Sequence, residues 1–152
     1  MRNWGAPPEL TPAQQHVFLR RCPLCPGTGR LSASGLTWDY RVRPTSISRE
    51  YQIRIELHRS DTPRVFVIEP DISVLANGRK IPHVYRDLIH LCLFLPRANE
   101  WAPTMRIDQT FEPWTGVRLY YFEEWLASGQ WKGGGQHVPA ARNRRQRRAA
   151  AR

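Results

Sequence analysis

Two stretches of the chain alternate apolar and polar residues with a period of two. Leu36, Trp38, Tyr40 and Val42 stand against Thr37, Asp39, Arg41 and Arg43, and Tyr51, Ile53, Ile55 and Leu57 repeat the pattern. Successive side chains of a strand point to opposite faces, so each stretch reads as a strand with one face buried. RVFVIEP is apolar at four successive positions, 65–68, as a strand covered on both faces would be. The SDTP turn at 60–63 makes it antiparallel to its predecessor, giving a three-strand meander. Upstream, ELTPAQQHVFLRR at 9–21 has Thr11 at an N-cap, Pro12 at the first helical position and Gln14 where a capping box wants Glu or Gln. These predict a helix that stops near Pro23. CPLCPGTGRLSASG follows, punctuated by Pro, Gly and Ser, and predicts a loop. DISVLANGRKIPHVYRDLIH at 71–90 alternates poorly and contains Asn77-Gly78 and Pro82, which predicts a long ordered loop. Pro113 starts a second helix in which Val117, Tyr121 and Trp125 recur at i, i+4 and i+8, flanked by Leu119, Phe122 and Leu126, and Gly129 stops it. The order is helix, meander, a loop holding Cys92, helix: an α+β fold.

Composition supports one domain with a tail. The chain has 152 residues, 41% of them hydrophobic and 11% aromatic, enough to build a packed core. Of the net charge of +10, six come from the arginines of QHVPAARNRRQRRAAAR, residues 136–152, which leaves +4 on the other 135 residues. So short an Arg/Ala/Gln segment has too little apolar content to offset the entropy of ordering. The expectation is a folded domain over 1–135, a hinge at the glycines 133–135, and a mobile basic tail over 136–152 that makes weak contact with polyanions. No apolar run approaches the ~20 residues needed to span a bilayer, and MRNWGAPPEL lacks the apolar stretch of a secretion signal. Three cysteines are too few for a disulfide scaffold. Together these predict a soluble, cytoplasmic protein with free thiols.

The candidate chemistry lies in those thiols. Cys22-Pro-Leu-Cys25 has the spacing of half a zinc knuckle, but a structural zinc needs four ligands and no spacing rule brings in His16 or His58. Its prolines and its place in a predicted loop argue against a thioredoxin-like pair, which opens a helix. Cys92, inside HLCLFLPRANEW at 90–101, reads on its own as a small buried hydrophobe. Its neighbours change that reading. Pro82-His83 lies nine residues upstream and Glu100-Trp101-Ala102-Pro103 lies downstream.

That order resembles the ubiquitin-conjugating-enzyme family, in which a short helix and an antiparallel meander precede a His-Pro-Asn loop, a cysteine in an Ile-Cys-Leu context, a Trp-Ser-Pro turn and further helices. His83 matches the family histidine, Leu91-Cys92-Leu93 the cysteine run, Trp101-Ala102-Pro103 the tryptophan turn, and Glu69-Pro70 the proline-rich end of a strand. The resemblance covers about residues 9–132. The chain looks closer still to the stand-alone conjugating-like proteins of bacterial anti-phage cyclic-oligonucleotide signalling systems (CBASS). The blocks that carry this are Leu91 to Pro96, Thr110 to Trp114, Glu123 to Leu126 and Gly129 to Gly134, and their joint order is far more specific than any one of them.

The resemblance implies a ubiquitin-conjugating-like fold and a protein that carries the C-terminal glycine of a partner, a cGAS-like nucleotidyltransferase, as a thioester on Cys92. Such transfer needs an ionisable, reachable sulfur and donors for the oxyanion, and no metal, nucleotide or other cofactor, because the acyl group arrives already activated; an activating domain comes from another chain or the system does without one. This sequence departs from His-Pro-Asn: it has His83-Val84-Tyr85, and the phenol of Tyr85 stands where the family has an amide. A loop histidine ordinarily orders backbone, so His83 is read as structural rather than as a base. Trp38, Trp101, Trp114, Trp125 and Trp131 are read as packing residues, not a ligand cage. Two rival readings remain, an idle binding module of the same fold and a nucleic-acid-binding protein acting through its arginines.

Overall fold

The computed structural model describes residues 5–59, 61–85, 90–93 and 100–134. Gly135, the tail over 136–152 and the run 94–99 after the cysteine lie outside them. The elements run α1 (Pro12–Arg21), β1 (Gly27–Leu31), β2 (Gly35–Val42), β3 (Tyr51–His58), β4 (Arg64–Glu69), α2 (Ile72–Ala76), β5 (Val84–Tyr85), β6 (His90–Leu91), a 3₁₀ turn (Ile107–Gln109) and α3 (Phe111–Ser128). The protein is α+β, with an antiparallel sheet in the order β1-β2-β3-β4 and a small ladder of β5 with β6.

The two alternating stretches pair with each other. Leu36 faces Leu57, Trp38 faces Ile55 and Tyr40 faces Ile53, while Asp39 faces Arg54 on the other side. The first set is buried and joins Leu19 of α1 and Phe111, Leu119, Phe122 and Trp125 of α3 in one core. Arg54 and Asp39 form a two-pronged ion pair, Nε to Oδ1 at 2.8 Å and Nη2 to Oδ2 at 2.9 Å. It sits on the wetter face and adds little more than register.

The two longer helices, α1 and α3, are fixed at their ends by local chemistry. The Thr11 hydroxyl accepts from the Gln14 amide at 3.2 Å and the Gln14 side chain accepts from the Thr11 amide at 2.9 Å, the predicted capping box. Gly129 closes α3 in a left-handed conformation, its N–H donating to Trp125 O at 2.8 Å. The buried Gln15 amide then ties α1 to the segment leading into α3, donating to Met105 O at 2.9 Å and accepting from Ile107 N at 3.0 Å.

Four expectations are corrected. The stretch read as loop after Pro23 contains β1, so the meander has four strands. Glycine disfavours strands because it packs nothing, but here close packing requires it: a Cβ on Gly29 would lie 2.6 Å from the His16 ring and 2.8 Å from Trp38. β4 is an edge strand, not one covered on both faces; Val65 is buried, whereas Ile68 is 39% exposed. The segment 71–90 is not a plain loop, for it holds α2, β5 and the start of β6. Asp71 caps α2 by accepting from Ser73 N at 2.8 Å, and Asn77 ends it in the left-handed region. Finally, α3 begins two residues before Pro113, which falls in the first turn where no N–H is needed. Its inward row is Phe111, Thr115, Arg118, Phe122 and Trp125, while Val117 is 57% exposed. No helix among the described residues is long and apolar enough to cross a membrane.

Candidate functional site

Cys92 follows directly on β6, and its amide donates to His83 O at 3.0 Å. The β5–β6 ladder, Val84 opposite Leu91 and Tyr85 opposite His90, brings the turn at 82–83 alongside the cysteine. His83 makes that turn in the left-handed region, with φ of 54°. Its ring lies 5.1 Å from that of Trp131. Tyr85 stacks on His90, with ring centroids 4.4 Å apart, and His90 in turn meets Phe66 of β4 at 5.8 Å. The small ladder is thereby fastened to the edge of the main sheet.

Cys92 is half-buried, and the Tyr85 hydroxyl stands within interaction range of its sulfur. Burial pushes the thiol up from its usual range; the Tyr85 hydroxyl and the Arg118 charge pull it back. Tyr85 is raised as well, first by burial and then by the charge on Cys92. Neither group ionises readily at rest, so the pair presents a protonated thiol beside a hydroxyl donor.

The structure brings the predicted His83, Tyr85 and Cys92 together, and beside them stands Arg118, which the sequence reading did not name. This residue is 6% exposed. Its Nη2 donates to Pro82 O and, at 3.3 Å, to His83 O. The guanidinium carbon lies 4.3 Å from the centre of the Trp131 ring, which covers it. Trp131 is itself set by the Gly-Gly turn after it: its indole N–H donates to Gly134 O at 2.9 Å. A Cβ on Gly133 would lie 2.8 Å from Trp131 and 2.9 Å from Tyr121, so only glycine lets the turn fold under the ring. Burial lowers the Arg118 guanidinium to about 10, against the opposing pull of Cys92, and it stays charged at neutral pH. One signal in the sequence pointed to it: spacings of four and three from Phe111 through Thr115 to Phe122 put an arginine in the inward row of α3.

The other cysteines lie elsewhere. Cys22 caps the end of α1, and Cys25 is fully buried in the core with its thiol pushed far up, chiefly by burial and then by a hydrogen bond with the free Cys22 thiol. His16 packs edge-on against Trp38 at 6.0 Å, and His58 is exposed at the end of β3. Among the described residues no group of three or more His, Cys, Asp or Glu is placed to hold a metal ion.

A half-exposed thiol with a phenol hydroxyl beside it and a cation nearby is equipped to accept an acyl group, since donors stand ready for the charge that develops on attack. A family model described as "Type II CBASS E2 protein" matches residues 14–138, a span that takes in His83, Tyr85, Cys92, Arg118 and Trp131. No curated protein matches the chain.

Proposed function

Because this chain belongs to the type II CBASS E2 protein family, and so to an anti-phage defence system with a conjugation-related role, we propose that it is a ubiquitin-conjugating-like transferase that carries the C-terminal glycine of a cGAS-like nucleotidyltransferase as a thioester on Cys92 and primes its signalling. The observation that carries this reading is a partly exposed Cys92 set against the Pro82–His83 turn, with the Tyr85 hydroxyl beside its sulfur. The order of helix, meander, cysteine and helix supports a ubiquitin-conjugating-like fold for the domain, taken as residues 1–135 with a basic tail over 136–152.

In the transfer the partner's C-terminal carbonyl arrives activated, as an acyl adenylate or a thioester. The Cys92 sulfur forms the new bond to carbon while the bond to the leaving group breaks and takes its electron pair. The thiol proton departs to the leaving group or to water. Tyr85 donates to the oxyanion in place of the family's asparagine, and loss of one such donor costs about 10²–10³ in rate. His83 acts through its backbone, whose carbonyl receives the Cys92 amide.

The test mixes the full chain with the nucleotidyltransferase in activated form and follows adducts by intact-mass spectrometry. Wild type is expected to give an adduct released by thiols, Cys92→Ser a thiol-resistant oxyester, and Cys92→Ala none. An adduct of equal amount on Cys92→Ala would make the chain a binding module whose cysteine is idle.

A further inference from the structure

A buried guanidinium ordinarily meets a carboxylate, because an unpaired charge out of water is costly to folding. Arg118 meets none among the described residues. Two backbone carbonyls and one indole face hold it, and among the described residues its Nε and Nη1 have no hydrogen-bond partner. For stability alone a methionine in the inward row of α3 would fill the same space at less cost. What the arginine adds is charge, and its place decides where that charge acts. His83 O receives both the Cys92 amide, at 3.0 Å, and Arg118 Nη2, at 3.3 Å, so one carbonyl separates the guanidinium from the Cys92 backbone.

We propose that Arg118 is a fixed positive charge of the Cys92 site: a positioning residue that clamps the Pro82–His83 turn under the cysteine, and whose guanidinium, with Nε and Nη1 not engaged by any described residue, favours negative charge at the sulfur and at the carbonyl it attacks. The electrostatics agree, since each of the two groups favours the charged form of the other. Among the described residues, the other titratable groups around the sulfur are Tyr85 from β5, whose hydroxyl interacts with it, His83 from the turn, whose ring turns to Trp131, and His90 from β6, which stacks on Tyr85. Of these groups and Arg118, only Arg118 carries a permanent charge. In its purpose this inference rests on Cys92 as acyl acceptor; its physical content, a cation acting on a thiol, does not.

The experiment is the pH dependence of iodoacetamide alkylation in the full chain, read peptide by peptide so that Cys92 is separated from Cys22 and Cys25. Arg118→Met is expected to move the Cys92 midpoint to higher pH and to slow alkylation about tenfold at a fixed pH below it, as loss of an opposite charge at short range does. Arg118→Lys is expected to recover most of that rate, and the Tm of Arg118→Met to stay within a few degrees of wild type. A purely structural role predicts the reverse, a fallen Tm and an unmoved midpoint. Should Arg118→Met not fold, Trp131→Leu answers the same question, because uncovering the guanidinium lets water screen its charge and raises the midpoint. A midpoint unchanged in the folded variant overturns the proposal. Alkylation needs no protein partner: a shifted midpoint without adduct formation on Cys92 removes the transfer reading, whereas adduct formation with an unshifted midpoint removes the role of Arg118 alone.

Discussion

Tyr85 and Glu112 show how single groups are set by what surrounds them. The ring of Tyr85 is held by His90 at 4.4 Å, so the hydroxyl is separable from the packing. Tyr85→Phe is therefore expected to fold as wild type and to slow thioester formation by about 10²-fold in single-turnover assays, the cost of one oxyanion donor. An unchanged rate would assign stabilisation of the oxyanion to other groups. Glu112 lies in the first turn of α3, buried, with its carboxyl raised first by burial and then by Asp108. A carboxyl raised in the folded state stabilises fully below its unfolded value, and that contribution is lost as the pH climbs through the folded one. Glu112→Gln should then raise Tm at pH 7, with a gain that vanishes on acidification to about pH 4. Calorimetry at the two pH values checks this, and a pH-independent change refutes the assignment.

At the scale of elements, two rows on the molecule separate what packs from what only looks periodic. Ile53 of β3 is 0% exposed opposite Tyr40. Ile53→Ala is expected to cost about 2–5 kcal/mol by urea unfolding. Val117 occupies an i, i+4, i+8 row with Tyr121 and Trp125 yet is 57% exposed, so Val117→Ala should stay within about 0.5 kcal/mol. The strands β2 and β3 were legible because one buried face imposes a strict alternation. The helical phase was misjudged because the true inward row of α3 contains Thr115 and Arg118, polar residues that a search for apolar periodicity passes over. β1 escaped for a related reason: Gly27 and Gly29 carry no side chain to show a pattern, and only their approach to β2 and His16 explains them.

Across the whole molecule, the proposed site draws on segments far apart in the chain. The turn at 82–83, the cysteine after β6, the middle of α3 and the indole at 131 meet in one place. α2 and α3 are joined near the end of the latter, where the Arg79 guanidinium lies 4.6 Å from the Trp125 ring and Nη2 donates to Leu126 O at 3.3 Å. The arginines of 136–152 stand outside this assembly in composition as well as in sequence. Removing them is expected to leave Tm and the Cys92 alkylation profile unchanged while lowering any affinity for RNA and its dependence on salt. Loss of thioester formation on that deletion would instead give the tail a part in docking the partner.

By itself the sequence determined what local chemistry can decide: the capping box at Thr11, the paired faces of β2 and β3, the glycine stop at 129, and the family to which Cys92 and its flanking blocks belong. The tertiary structure alone decided where the charge goes. Arg118 lies more than thirty residues from the carbonyls it grips, and an arginine in a helix row gains meaning only when folding strips it of water and sets it against His83, Trp131 and, through them, Cys92.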